Sequence, residues 1–533
     1  MDCTSTKLSF KQTGYFSAIV NHYLQDDPAL KPFYNLRPDV EGVKQAIENR
    51  LAFNTNRQLL LAGLQQQYKG INKTVELEKN LELLQQPTTF TITTAHQPNI
   101  FTGPLYFLYK IIHAIRLADS CKILFPQYDF VPVYYMGSED ADLEELGHYF
   151  VNGKKYNWHT KQTGAVGKML IDDNLLALLN ETASQVGVQL YGKEIIDILE
   201  AAYNKGVTIQ QATLNLVNVL FGRYGLVVLV PDNPLFKQQM VSVFKDDLLQ
   251  HTALPLVQQT GKALTEAGYK EQAHPREINL FYLADGIRNR IEKTETGFKV
   301  VDTDLQFTQD ELLQELEQYP ENFSPNVILR GIMQETILPN ILFVGGGGEL
   351  AYWLQLQKVF EQYKVPFPIL LLRNSFLLID KQQEIRLEKL GLSRADLFLS
   401  ETDVVNLLVK RSTENNLSLA NALQQLSTEY DAIKEQATAI DSTLAKHVEA
   451  LKTIALQKIE KLEKKMLRAE KRKFEATQHQ VTQLKAALFP NNNLQERVEN
   501  FISLYAQYGT ELIQQLYQHS PALESEFVIV QVQ

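Results

Sequence analysis

The sequence predicts an α/β protein with a largely parallel sheet, continued by a long helical segment. Three observations predict it. Before residue 390, short apolar runs ending in Gly, Asp or Pro alternate with stretches of helical periodicity. Of the chain's 26 glycines and 19 prolines, none falls from Leu392 to Phe489, which marks that stretch as helix with few breakers. Within it, Leu444, Val448, Leu451, Ala455, Ile459, Leu462, Met466 and Ala469 recur at threes and fours. The extra four at Ala455–Ile459 reads as a stutter in a coiled-coil repeat.

The elements follow in order. Phe90–Ala95 is β-prone and predicts a first strand, followed by a loop and a helix, Leu105–Ser120, burying Leu105, Leu108, Ile112 and Ile115. Phe130–Met136 predicts a second strand, with the acidic run from Glu139 opening a helix. Residues 150–215 are polar and mixed, an expected insertion. Leu226–Val230 predicts a third strand, ending at Pro231-Asp232-Asn233. A second insertion is expected at about 255–325, where Asn279–Leu283 and Ile287–Glu292 flank Ala-Asp-Gly, a hairpin signal. Ile341–Val344 runs into four glycines and a helix containing Trp353, and Phe367–Leu372 is the last core strand. Helices near 402–436 and 440–488, stopped by Pro490, predict an antiparallel hairpin. Phe527–Val532 reads as a strand packing back on the body. The expected organisation is therefore a core over 1–390, a coiled coil over 391–490 and a returning segment over 491–533.

Composition narrows the function. The 533 residues are 44% hydrophobic, 21% charged and 10% aromatic, ample for a large core and incompatible with global disorder. Lys+Arg total 52 against 62 Asp+Glu, a net charge of −10, which disfavours non-specific nucleic-acid binding. The basic run Lys458–Lys473 reads as the solvated face of the coiled coil. Two cysteines, Cys3 and Cys121, make neither a disulfide framework nor a structural zinc site. The first ten residues lack a basic stretch followed by an apolar run, and no window approaches a membrane span, so a cytoplasmic location without membrane is expected.

Three segments could carry chemistry. In Thr94–Leu105, His96 and Gln97 would stand at a strand's carboxyl edge, with Thr102 near the helix N-cap and Gly103-Pro104 opening the helix. In Gly137–His148, Ser138 and a cluster of Glu139, Asp140, Asp142, Glu144 and Glu145 follow a strand directly. Such carboxylates could hold an ammonium group, act as base toward an amine, hold Mg²⁺, or cap a helix. No HExxH-like spacing supports a metal site at His148. Third, Gly345, Gly346, Gly347 and Gly348 before Glu349 and Trp353 allow close backbone approach of a ligand, though the run is neither a Walker A loop nor GxGxxG. Arg330 and Gln334, one turn apart on a helix, and Arg373 add candidate carboxylate or phosphate contacts. No GxSxG, Ser-His-Asp or Cys signature is present.

Taken together these segments resemble the BshC family, cysteine ligases of bacillithiol biosynthesis. The likeness is carried by His96-Gln97, Phe101–Tyr106, Val131–Val133, Ser138–Asp140, Asp142–Glu145, Asn279–Tyr282, Asn326–Arg330, Met333–Glu335, Gly348-Glu349 and Tyr352-Trp353, in one order and densest from 90 to 380. The resemblance implies a Rossmann-like core similar to class I nucleotidyltransferases, connecting insertions and a coiled coil that makes a homodimer. It implies addition of cysteine to the free amine of glucosaminyl malate, the last step to bacillithiol. An amide from a free carboxylate requires activation, so ATP or ADP and Mg²⁺ enter as cofactors through an acyl-adenylate or acyl-phosphate; the sequence itself assigns neither.

On this resemblance His96, Gln97 and the 102–104 turn would cradle a phosphate or the activated carboxyl. Glu139, Asp140 and Asp142 would take the amine and its proton, Gly345–Gly348 would let a ligand lie close, and Arg330 would clamp malate. The chain departs from the family pattern at Ala95, where Gly is usual, and at Ala141, where His is usual. It lacks a Lys-Met-Ser-Lys-Ser segment. A related ligase or nucleotidyltransferase with a different amine substrate, and a catalytically silent dimeric scaffold, stand as alternatives.

Overall fold

The computed structural model describes residues 5–412 and 418–532; Cys3 lies outside them. The chain forms two compact units, one of residues 1–378 with 493–533 and the other of residues 379–492.

The first unit is built on five parallel strands: Thr89–His96, Asp129–Met136, Val227–Leu229, Asn340–Gly345 and Ile369–Leu372. Numbered along the chain as core strands, they lie in the order fifth, fourth, first, second, third. The first and second pair from Thr89↔Asp129 to His96↔Met136 without a slip. The first strand is buried throughout yet rich in threonine. Its β-branched side chains suit the pleat, and two of its hydroxyls reach the fourth strand: Thr94 Oγ1 donates to Val344 O (2.8 Å) and Thr91 Oγ1 to Asn340 Oδ1 (3.3 Å).

Helix Tyr106–Leu124 follows the first strand and packs Ala114, Leu117, Ala118 and Cys121 with Ile92, Leu342 and Leu371 of the sheet. Burial pushes the Cys121 thiol up to about 12, so this cysteine is packing and not a nucleophile. Helix Val40–Leu51 adds Val43, Ala46 and Ile47 to the same core. Its Arg50 donates to Glu335 Oε2 (2.7 Å) and Glu335 O (2.8 Å), a fully buried ion pair on helix Val327–Ile337.

The expected insertions take distinct forms. The first carries the hairpin His148–Val151 with Lys154–Asn157, then helices Asp173–Val186, Gly192–Ala202 and Ile209–Phe221. The second is an antiparallel sheet in the order Gln306–Phe307, Phe298–Val300, Ile287–Lys293, Leu280–Ala284, Phe323–Pro325. Its Asp285-Gly286 turn, with Gly286 at φ 66°, is the hairpin the sequence predicts. A third sheet sets Phe527–Gln531 between Ser5–Leu8 and Ser375–Ile379.

The second unit holds helices Glu401–Ser412, Ala420–Ile440, Leu444–Lys471 and Glu475–Leu488. Ion pairs Lys434–Glu449 and Lys452–Asp431 (2.6 Å each) fix the middle two as an antiparallel hairpin. The second long helix expected there is divided where Arg472–Phe474 tightens into a 3₁₀ turn; the first is described over Glu401–Ser412 and Ala420–Ile440, and residues 413–417 lie outside the described set. The seam also differs from its expected course. Val448 is buried, whereas Leu444, Leu451 and Leu462 remain 38%, 42% and 47% exposed, because one partner helix covers only part of the apolar strip. Among the described residues no helix is long and apolar enough to cross a membrane.

Both tryptophans, Trp158 and Trp353, lie in the first unit, so their fluorescence reports its unfolding. Arg50→Met strands a buried carboxylate and is expected to lower stability by about 3–5 kcal/mol. Arg50→Met with Glu335→Gln recovers part of that loss, read from denaturant midpoints.

Candidate active site

The strand order places a topological switch point between the first and fourth core strands, whose following segments run off to opposite sides of the sheet. A crevice opens there at the carboxyl ends, the position where open α/β sheets bind ligands. A cavity of about 480 Å³ lies at this edge. All five strand ends reach it, through His96-Gln97, Gly137–Asp140, Pro231, Gly346–Gly348 and Arg373.

His96 ends the first strand with its ring against Tyr106 (5.3 Å) and Phe107 (5.4 Å). Its Nε2 is buried and has no partner among the described residues. Burial foremost, then the charges of Lys110 and Arg373, hold its pKa well below the ordinary imidazole value. The ring is therefore a neutral hydrogen-bonding group on the cavity wall. Gln97 Nε2 donates to Asp140 Oδ2 (3.2 Å), which aims that carboxylate.

The acidic cluster does not act as one group. Glu139 is buried in an ion pair with Lys237 and accepts from Ser324 Oγ (3.0 Å). Asp142 accepts from Glu145 N (3.0 Å) as the N-cap of a single helical turn, Leu143–Leu146, and does not line the cavity. The helix expected from Glu139 thus starts later, because residues 138–140 are held as a loop by Val166 N to Asp140 O (2.7 Å) and Gly167 N to Ser138 O (3.0 Å). Asp140, Glu145 and Ser138 face the cavity; burial, then Asp140 and Asp142, raises Glu145's pKa. Ser138 Oγ is buried without a partner among the described residues. No group of three or more His, Cys, Asp or Glu among the described residues could hold a metal ion.

The 102–104 turn is placed elsewhere. Thr102 and Gly103 both have positive φ, and Asn500 Nδ2 donates to Phe101 O (2.8 Å) and Gly103 O (2.6 Å). The helix starts only at Tyr106, so Thr102 is not its cap, and neither residue lines the cavity. Gly345 also stays outside, its carbonyl taken by Arg373 N (2.8 Å), whereas Gly346, Gly347 and Gly348 line the wall. Glu349 accepts from Gly346 N (2.8 Å) and pairs with Lys110. Trp353 is core, stacked on Phe343 at 4.5 Å. Gln334 is fully buried and donates to Glu335 Oε1 (2.9 Å), away from the cavity.

Arg330 is on the cavity wall. It donates to the Tyr352 hydroxyl, lies 5.9 Å from the Tyr135 ring, and pairs with no carboxylate among the described residues. Arg373 is held by Glu496 (2.6 Å) and Ser375 Oγ (3.0 Å) over the Tyr106 ring.

Lys110, Arg288, Arg497, Tyr106 and Tyr135 also line the cavity and were not among the candidates. Lys110 had a sequence signal, a lysine amid Leu105–Ile115, which is otherwise nearly all apolar. Arg288 and Arg497 had none, since an inserted sheet and the segment after the coiled coil deliver them. The wall thus carries Lys110, Arg288, Arg330, Arg373 and Arg497 against Glu139, Asp140, Glu145 and Glu349. With Lys110, Arg373 and Glu139 already paired, cationic character is left facing the cavity.

Comparison with known proteins adds to this geometry. Residues 1–374 match the family described as "Bacillithiol biosynthesis BshC, N-terminal Rossmann-like domain", and residues 376–532 match its "C-terminal coiled-coil domain". The chain belongs to the BshC family. A Flavobacterium johnsoniae member named "Putative cysteine ligase BshC" is 38% identical over 98% of this chain and 99% of that protein. A Cytophaga hutchinsonii member with the same name is 37% identical over 96% of each. The Chlorobaculum tepidum relative, again so named, is 29% identical over 87% of this chain and 86% of its own. The BshC resemblance and the Rossmann-like and coiled-coil architecture expected from sequence both hold.

Two glycines separate support from access. A Cβ at Gly167 would lie 2.3 Å from Ser138 O, whereas one at Gly348 meets nothing within 4 Å. Gly167→Ala is expected to cost about 1–3 kcal/mol by overpacking. Gly348→Ala should leave stability unchanged or raise it by up to about 1 kcal/mol, both read from unfolding midpoints.

Proposed function

We propose that this protein is a ligase that joins cysteine to the free amine of glucosaminyl malate, an amide-forming step that completes bacillithiol. The observation that carries the reading is Arg330: a guanidinium with no carboxylate partner among the described residues, braced by Tyr352, in a cavity that also presents a neutral imidazole and the Asp140 carboxylate. A guanidinium in that setting suits a bidentate carboxylate, as malate offers. The names of the relatives supply cysteine as the other reactant.

In this reading Arg330 orients the malate moiety and Asp140, aimed by Gln97, receives the amine. The amine nitrogen attacks the activated cysteine carbonyl carbon. The C–N bond forms, the bond to the activating oxygen breaks, and its electron pair departs with the leaving phosphate or nucleotide. The nitrogen's proton passes to Asp140, while His96 stays a neutral hydrogen-bonding group. Arg497 and the Gly346–Gly348 turn fit a phosphate-bearing ligand. ATP, when bound, supplies a phosphoryl or adenylyl group to the cysteine carboxylate. The carboxylates do not fit a protein-held Mg²⁺, since Glu139 and Asp142 are spent on Lys237 and a helix cap.

Ala141 does not line the cavity, which favours an enzyme over a silent scaffold. The reading includes a cytoplasmic homodimer joined through the helical unit, where Leu444, Leu451, Ile454 and Leu462 remain uncovered.

The test is product formation by mass spectrometry from cysteine and glucosaminyl malate, with and without ATP·Mg²⁺. Bacillithiol is the expected product with nucleotide present, and Asp140→Ala or Arg330→Met should each reduce it by ~10²-fold or more. No product, with a verified family member active in parallel, would overturn the reading.

A further inference from the structure

Lys110 is a charged side chain in the middle of the helix that otherwise seals the sheet, and only 3% of it is exposed. Its ammonium donates to Ala95 O (2.8 Å), the carbonyl just before His96, and to the Glu349 carboxylate. Glu349 in turn accepts from Gly346 N (2.8 Å). One cation therefore joins the end of the first core strand to the turn after the fourth, across the switch-point crevice. An ammonium buried at this depth must be satisfied by such partners or lose its proton. Both partners here belong to elements that line the cavity.

We propose that Lys110 is a positioning residue of this site: fixed between Ala95 O and Glu349, its ammonium ties the two walls of the crevice together and keeps the adjacent His96 ring an uncharged hydrogen-bond acceptor toward the cavity. This goes beyond the ligase reading and rests on it only for what His96 then accepts.

The groups around His96 define the electrostatics. The helix contributes Lys110 and Tyr106, the fifth strand's end contributes Arg373, and Glu349 reaches the region through Lys110. From the second strand, Tyr134 donates its hydroxyl to the His96 carbonyl (3.1 Å), not to the ring. Lys110 and Arg373 are both positive and both oppose protonation of the ring. Each is matched by a carboxylate, Glu349 and Glu496 respectively, and Lys110 acts on the ring more strongly than Arg373. Taking away a positive neighbour makes the imidazolium easier to form, so the ring's midpoint must rise.

The experiment follows histidine ring signals by NMR against pH in the full-length protein labelled at histidine, with the His96 signal identified by its loss in His96→Gln. No substrate is needed, so failure here is separate from failure of the ligase reading. Wild-type His96 should stay neutral well below the pH at which an exposed histidine titrates, and Lys110→Arg should behave likewise. Lys110→Met should bring the ring into titration, with its midpoint raised by about one unit or more. If Glu349, left alone, prevents Lys110→Met from folding, Lys110→Met with Glu349→Gln removes both charges and should give a smaller rise in the same direction. In the unsubstituted protein, the ¹⁵Nζ shift should show Lys110 as an ammonium at pH 7. A neutral Lys110 amine there, or a His96 titration in folded lysine variants that coincides with wild type, would overturn the proposal.

Discussion

Two parallel strands whose crossovers leave in opposite directions cannot both be roofed by the helices that follow them. The gap this leaves at their carboxyl ends is the constraint on which the rest of the structure depends. Here it lies between Thr89–His96 and Asn340–Gly345, and nearly every polar side chain of interest is arranged around it. The threonine-rich first strand meets the fourth through side-chain hydroxyls as well as the ladder. Lys110 then spans the gap at its mouth, bonded to one strand end and to the helical turn beyond the other.

The insertions serve this edge and are not ornament. The first supplies Val166 and Gly167, whose N–H groups hold the carbonyls of Asp140 and Ser138, and the second supplies Ser324 and Arg288. The segment after the helical unit brings Glu496 to Arg373 and Arg497 to the cavity wall. Carboxylates that look alike in sequence are thereby sorted: Glu139 neutralises a buried lysine, Asp142 ends a backbone, and Asp140 and Glu145 face the cavity.

How much of this was legible depended on range. Strands, the Asp285-Gly286 hairpin and the long helices followed from local periodicity and turn chemistry, which act over a few residues. His96, Gln97, Ser138, Asp140, the Gly346–Gly348 turn, Arg330 and Arg373 were legible because a strand end fixes where its next residues point. Thr102 and Gly103 misled because Asn500, nearly four hundred residues away, claims the carbonyls of their turn. Trp353 and Gln334 misled because a helix beside a site has an inner face, and periodicity did not say which residues lay on it. Arg288 and Arg497 arrive by tertiary contact alone. In the coiled-coil seam Val448 is buried and Leu451 is left 42% exposed, since spacing shows that a strip exists but not how wide a single partner covers.

The central claim is that the switch-point cavity takes a carboxylate-bearing amine through Arg330. Calorimetric titration of the full-length protein with glucosaminyl malate tests it without requiring turnover. Saturable binding at one site per chain, weakened at least tenfold by Arg330→Met and unchanged by Gln334→Ala with its fold intact, is the predicted result. Saturable binding that Arg330→Met leaves intact, or no binding at all, would contradict it.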